Sequence, residues 1–272
     1  MCTVPVLSRV CLESYNQPRA LYETLKQRGM DLVTVTDHDS IGAADELHHH
    51  PDFFLSEEVT CTMPSGTEMH AGVYGMREHD HVELQRRRHD LESLLAYVNE
   101  NQLFLTVNHL YSSLTGRRDA DDFERFARDF HGVETRNGCM LKSANRMAQD
   151  FAQRHGKPVT GGSDSHTLAG VAKTFTEVRG ACNAEEFLAG LRRGQATVMG
   201  DHGDYWKLTA AVLGIGGSLI QAKPWMLLAS ALFAAAPVVT FGNYVREIAF
   251  IWKWGPRHFE QEPNAVAPEP AQ

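Results

Sequence analysis

The chain lacks the cysteine pattern of a disulfide scaffold. Cys2, Cys11, Cys61, Cys139 and Cys182 are odd in number, scattered, and include no CxxC pair. That spacing fits reduced thiols and excludes both a disulfide framework and a zinc ribbon. Met1 to Val10 has no long apolar run of the kind that opens a signal peptide, so the expected location is cytoplasmic. Positive charge is short as well. A net charge of −8 argues against a broad nucleic-acid-binding surface, although a local basic groove stays open. No GxSxG elbow surrounds Ser163, which sets aside a Ser-His-Asp hydrolase. What remains is a chain with 43% hydrophobic and 22% charged residues, globular in composition. At 272 residues it can bury the core of one α/β barrel.

The first two hundred residues alternate short apolar runs with amphipathic segments. Pro18 opens a helix carrying Leu21 and Leu25 and stopping near Gly29. Asp31 to Thr36 is short and β-branched, as a buried parallel strand requires. A helix is expected around His81 to Asn99, a strand over Leu103 to Val107, and a helix marked by Phe123, Phe126 and Phe130. Val133 to Thr135 and Pro158 to Gly161 read as strands, separated by a helix through Met147 and Phe151 that ends at Gly156. Asn183 caps a helix running to Gly194. Repeated β-α units of this kind imply a largely parallel sheet or barrel.

The polar residues that carry chemistry fall at the C-terminal ends of these strands. Thr36-Asp37-His38-Asp39, Asn108-His109, Glu134-Thr-Arg-Asn137 and Gly162-Ser-Asp164-Ser-His166 each close one. In parallel α/β folds the loops at that edge converge on one crevice. The loop Ser56 to Thr60 and the segment from Met69 add Glu58 and His70. Imidazoles mixed with carboxylates suit zinc, manganese or iron better than calcium, and no thiolate is present to make a structural zinc site. Three other features read as surface: Glu57 as the outward member of the Glu57-Glu58 pair, His48-His49-His50 as a loop, and Arg86-Arg87-Arg88 as an exposed helix face.

Five segments resemble the PHP (polymerase and histidinol phosphatase) superfamily: VTVTDHDSIGA (33–43), LSEEVTC (55–61), MHAGVYG (69–75), TVNHLYSS (106–113) and GGSDSHTL (161–168). They stand in the family's order and reach from about Pro18 to Gly200. The resemblance implies a distorted (β/α)7 barrel that hydrolyses phosphate esters with a metal-activated water, holding two or three divalent ions. It implies that Glu58 bridges two ions, that His70 and His109 complete one site, that Asp164 serves the neighbouring one, and that His38 and His166 bind a third. Glu58, Asp164 and Asp37 become the catalytic candidates, with Asp37 and Asp39 placed to accept an imidazole N–H. Arg117 and Arg118, and with them Arg136 and Asn137, are candidates for holding a substrate phosphate. The partner implied is a phosphorylated small molecule or a short oligonucleotide. The acidic balance favours the former.

One departure stands out. Family members open with a strand ending in His-x-His, and here no histidine precedes His38. The family's next ligand aligns with Glu13, ahead of Pro18. Either the start is set too late, which is the favoured reading, or the chain is a short form with a crippled first site. The second case makes it a regulatory or docking module. The expected domains are 1–204 (PHP-like), 205–254 (apolar) and 255–272 (disordered, rich in Pro and Glu). Leu208 to Ala222 and Pro224 to Val245 hold no charge, with Lys223 alone between them. Pro237 and the glycines at 214, 216 and 217 weaken a membrane span. Residues 208–254 are expected to meet a membrane surface, at its inner face, or to cap the barrel or a partner subunit. The oligomeric state is open.

Overall fold

A computed structural model describes residues 16–224 and 233–255. Glu13 and the tail from residue 256 lie outside the described residues. The fold is α/β. Its centre is a five-stranded sheet in the order β1 (Ser56–Thr62), β2 (Glu68–Tyr74), β3 (Phe104–Val107), β4 (Gly132–Asn137), β5 (Val159–Gly162). The last three strands are parallel and joined through helices α5 (Ala120–Asp129) and α6 (Lys142–Arg154), as the repeated pattern requires. The first three are antiparallel. Among the described residues the strands therefore form an open mixed sheet and a separate two-stranded ladder of β6 (Thr174–Val178) and β7 (Ala196–Gly200), rather than a closed barrel.

The segment Ser56 to Thr60, expected as a loop, is the strand β1. It pairs with β2 through a tight turn in which Gly66 adopts a φ of +78° and donates to Met63 O. Asp31 to Thr36 departs in the other direction. Residues 33–39 run parallel to 53–58 but bridge them only at Val33–Phe53 and His38–Glu58. The span expected as one helix around His81 is two, α3 (Glu78–Arg87) and α4 (Leu91–Glu100). The chain breaks where Asp90 leaves helical geometry to accept the Ser93 N–H at 3.2 Å. The remaining helices are α1 (Pro18–Gln27), α2 (Ala44–Leu47), α7 (Ala184–Arg192, capped by Asn183), α8 (Tyr205–Ala222) and α9 (Ala236–Trp254).

Side-chain alternation gives the sheet two unlike faces. Val59 and Cys61, Met69, Ala71 and Val73, Leu105 and Val107, and Val133 point one way, into a core closed by α3, α4, α5 and α6 and by Phe250, Ile251 and Trp254 of α9. The ladder register puts Glu58 opposite Gly72, His70 opposite Thr60, Thr106 opposite Gly72 and Gly132, and Glu134 opposite Thr160. These residues share the other face. A second apolar cluster of Phe54, Phe104, Leu188 and Leu191 fills part of that face and leaves the rest polar.

Candidate metal centre

Glu58 occupies the middle of β1 on the polar face and is 6% exposed. A buried carboxylate needs donors. Its Oε1 accepts from Asn108 Nδ2 at 3.1 Å and faces His109 Nε2 at 2.9 Å, and its Oε2 lies 3.5 Å from His38 Nε2. His70 Nδ1 stands 3.5 Å from Oε1. The three imidazoles meet edge to face, with ring centres 4.5 Å apart for His38–His70 and 4.9 Å for His70–His109. Beside Glu58 on the ladder, Gly72 leaves room for the Thr106 and Tyr74 side chains. A Cβ there would stand 2.7 Å from Thr106 Oγ1 and 2.8 Å from the Tyr74 hydroxyl.

The histidines do not satisfy one another. Both ring nitrogens of His70, and Nδ1 of His109, are buried without a hydrogen bond. Each such atom costs about 1–3 kcal/mol in an apolar interior, unless something absent from the polypeptide satisfies it. One ligand atom each from His38, Glu58 and His70 can be chosen so that all lie within 4.8 Å of one another. That donor set of two imidazoles and a carboxylate fits a zinc-, manganese- or iron-like divalent cation.

Charge is distributed accordingly. Burial pushes the Glu58 carboxyl up, but the charge and hydrogen bond of His109, with His70 and His38 each 3.5 Å away, more than reverse it and hold the group well below the usual range. Burial lowers His70. Burial also opposes protonation of His109, yet Glu58, Glu134 and Asp164 raise it to about 9. Glu134 is pushed up to about 7 by burial and by the nearby charges of Asp164 and Glu58, against the pull of His109.

Three backbone positions here have positive φ: Asp39 (+50°), His109 (+31°) and Asp164 (+45°). Left-handed backbone at non-glycine residues costs on the order of 1–3 kcal/mol and persists where neighbours enforce it. Each has such neighbours. Asp39 accepts from Thr60 N at 2.9 Å and pairs with Arg88, fastening the His38 turn to β1. His109 N donates to Glu134 Oε2 at 3.0 Å. Asn137 Nδ2 reaches both Glu134 oxygens at 3.2 Å and Asp164 Oδ2 at 3.0 Å, tying β4 to the loop after β5. Asn137 is itself held by Asn145, which accepts its N–H and donates to its carbonyl, both at 3.0 Å.

The residues singled out in the sequence divide as follows. His38, Glu58, His70 and His109 come together. Asp164 joins them through Asn137, and His166 Nδ1 lies 3.9 Å from Asp164 Oδ1. Asp37 is exposed and meets β1 through its carbonyl, which accepts Glu58 N–H. Arg117 is exposed. Arg118 is buried over the Phe126 ring, with Nη1 donating to Glu68 O at 2.5 Å. Arg136 Nη1 donates to Gly200 O at 2.9 Å. Glu13 lies outside the described residues.

Two of the expected surface residues are not at the surface. Glu57 is fully buried on the apolar face, bonded to His81 Nδ1 at 2.8 Å and Gln85 Nε2 at 2.6 Å. Arg88 is the partner of Asp39 rather than part of a solvated face. Sequence reasoning placed Asn108 and Glu134 at the strand-end edge without giving either a role, and it did not single out Asn145.

A family model described as PHP-associated matches residues 142–196, a stretch that includes Asp164 and His166. No curated protein matches the chain. Among solved structures, PsfC from Pseudomonas syringae PB-5123 is similar in fold, with a TM-score of 0.57 at 17% identity, covering 78% of this chain and 95% of that one. The lesion-specific endonuclease PfuEndoQ from Pyrococcus furiosus gives 0.50 at 16% identity, covering 70% of this chain and 56% of that one. At such identities the likeness speaks to the fold. The matched segment supports a PHP-associated region within this chain, and the solved structures share its fold.

Proposed function

We propose that this chain hydrolyses a phosphate ester, with two or three divalent cations held by His38, Glu58, His70, His109, Asp164 and His166. The observation that carries the reading is the buried, unbonded nitrogens of His70 and His109 arrayed around an ionised Glu58. When bound, divalent cations would supply Lewis-acid polarisation of a phosphoryl oxygen and a water of lowered pKa. The chain's own residues do the rest. Asn108 fixes the rotamer of Glu58 by donating to its Oε1. Glu134 holds the His109 backbone, and Asn137 aims Asp164 toward the same space. The apolar cluster around Phe104 and Leu188 occupies part of the same face. A small phosphomonoester suits the net charge of −8 better than a long nucleic acid, with a short oligonucleotide as the second candidate.

The test is metal analysis of the purified chain together with turnover of phosphomonoesters and short oligonucleotides. More than one ion per chain with turnover that Asp164→Ala abolishes is the expected result. At most one ion and intact substrates would overturn it. A second reading, a metal-holding regulatory or docking module without turnover, rests on one observation: among the described residues the compact ligand group is His38, Glu58 and His70, and Asp164 stands outside it. In that case Asp164→Ala changes little.

A further inference from the structure

Exposed bulky apolar side chains concentrate on two helices that the metal site does not use. Apart from Val82, Leu168 and Met199, all the large exposed hydrophobics among the described residues lie on α8 and α9. Trp206 is 74% exposed, Val238 74%, Phe241 57% and Trp252 76%. The two helices meet where Tyr205 packs on Phe241 and Tyr244 and donates to Pro237 O at 3.1 Å, with Trp206 beside it. The base is rooted in the body of the protein. Phe250, Ile251 and Trp254 enter the apolar core, and Glu247 accepts from Ser113 N at 3.0 Å and from its hydroxyl.

Charge in this region has the opposite sign to the rest. Between Tyr205 and Trp254 the cations are Lys207, Lys223, Arg246 and Lys253, and the one acid is Glu247, turned inward onto Ser113. The chain as a whole carries −8. Helix α8 also has no charge on any side from Leu208 to Ala222. A helix that docks one stripe on a protein partner keeps a charged face toward water, and α8 beyond Lys207 keeps none. Tryptophans at the edges of an apolar surface, with lysines and arginines beside them, match the transition from acyl chains to headgroups. No described helix is long and apolar enough to cross a membrane, so the fitting geometry is attachment at the surface.

We propose that the exposed apolar face of α8 and α9 docks on the surface of an anionic lipid bilayer, with Lys207, Arg246 and Lys253 toward the phosphates. The proposal stands independently of the metal site. It is tested by co-sedimenting the full chain with phosphatidylcholine vesicles, with and without phosphatidylglycerol. The expected result is binding at least about 10-fold tighter with the anionic lipid, weakened by salt. Phe241→Glu and Trp252→Glu, both at exposed positions, should leave the melting temperature unchanged. Each should cut vesicle binding by about 10-fold or more, because a bulky apolar anchor is exchanged for a charge. A chain that stays in the supernatant with both vesicle types overturns the proposal, as does binding indifferent to phosphatidylglycerol or to both substitutions. So does a lipid-indifferent dimer that Phe241→Glu splits, since a second copy then covers the face.

Discussion

The two faces of the central sheet are built from the same strands, yet they meet opposite demands. On one, Val59, Met69, Leu105 and Val133 interlock with helices, and none of these side chains carries a hydrogen-bonding group. On the other, Glu58, His70 and His109 are also buried, and both ring nitrogens of His70 and Nδ1 of His109 stay unbonded. Burial alone therefore does not distinguish structure from function in this protein. Several unbonded imidazole nitrogens gathered at one carboxylate do. Glu57 and Glu58 make the point within one dipeptide: the first is saturated by His81 and Gln85, the second is surrounded by imidazoles with capacity to spare.

Substitutions can break this comparison, and the largest effect belongs to the filled face. Leu105→Ala is expected to destabilise by about 3 kcal/mol through lost burial and a residual cavity. Its affinity for metal should be unchanged in the fraction that stays folded, as measured by denaturant melts and by zinc titration. On the other face, Glu58→Gln keeps the shape and removes the charge that gathers three imidazoles. Zinc affinity should fall by at least about 100-fold, equivalent to about 2.7 kcal/mol, which calorimetric titration would detect. A smaller effect attends Asn137→Ala, which touches none of the imidazoles. Releasing Asp164 and Glu134 should weaken metal binding about 10-fold, in the range for residues that orient ligands, with thermal stability shifted only slightly.

The smallest effect is in pH. In the metal-free chain, His109 is raised from 6.5 to about 9, so the stability it contributes is present below pH 6.5 and lost as pH climbs through about 9. Glu134, raised from 4.5 to about 7, acts in the same direction over a lower window. Glu58 acts oppositely: its lowered carboxyl stabilises above 4.5 and loses that contribution as pH falls. Melting temperatures of the metal-free chain should therefore decline from neutral pH toward pH 9, and zinc should flatten the decline by replacing the proton on His109. Leu105→Ala should show the same slope as the parent, since it leaves His109, Glu134 and Glu58 in place.

Much of the site was legible because ligands sit at strand ends, where a local motif such as Asn108-His109 or Asp164-Ser-His166 carries both the strand and the side chain. The helices around Pro18, Phe123, Met147 and Asn183 followed from caps and spacing, which are equally local. The failures share a different cause. Glu57 looked exposed because its partners, His81 and Gln85, come from a helix more than twenty residues away. Arg88 looked solvated because Asp39 lies 49 residues earlier. The β1–β2 hairpin was hidden by the paired glutamates, which read as a loop until the two faces of the strand are known to bury different partners. Arg118 followed the His109 loop closely in sequence, but it turns under α5 onto Phe126. Long-range pairing of charged groups is what one sequence does not spell out.

The central claim is that the unbonded imidazole nitrogens are where a divalent cation binds. Nitrogen NMR of histidine-labelled protein, titrated with zinc, reads those atoms directly. The ring signals of His38, His70 and His109 should shift together to values of metal-bound nitrogen at the first equivalent, with those of His48, His49 and His50 unmoved. Zinc that leaves His70 unaltered while shifting the surface histidines would contradict the account.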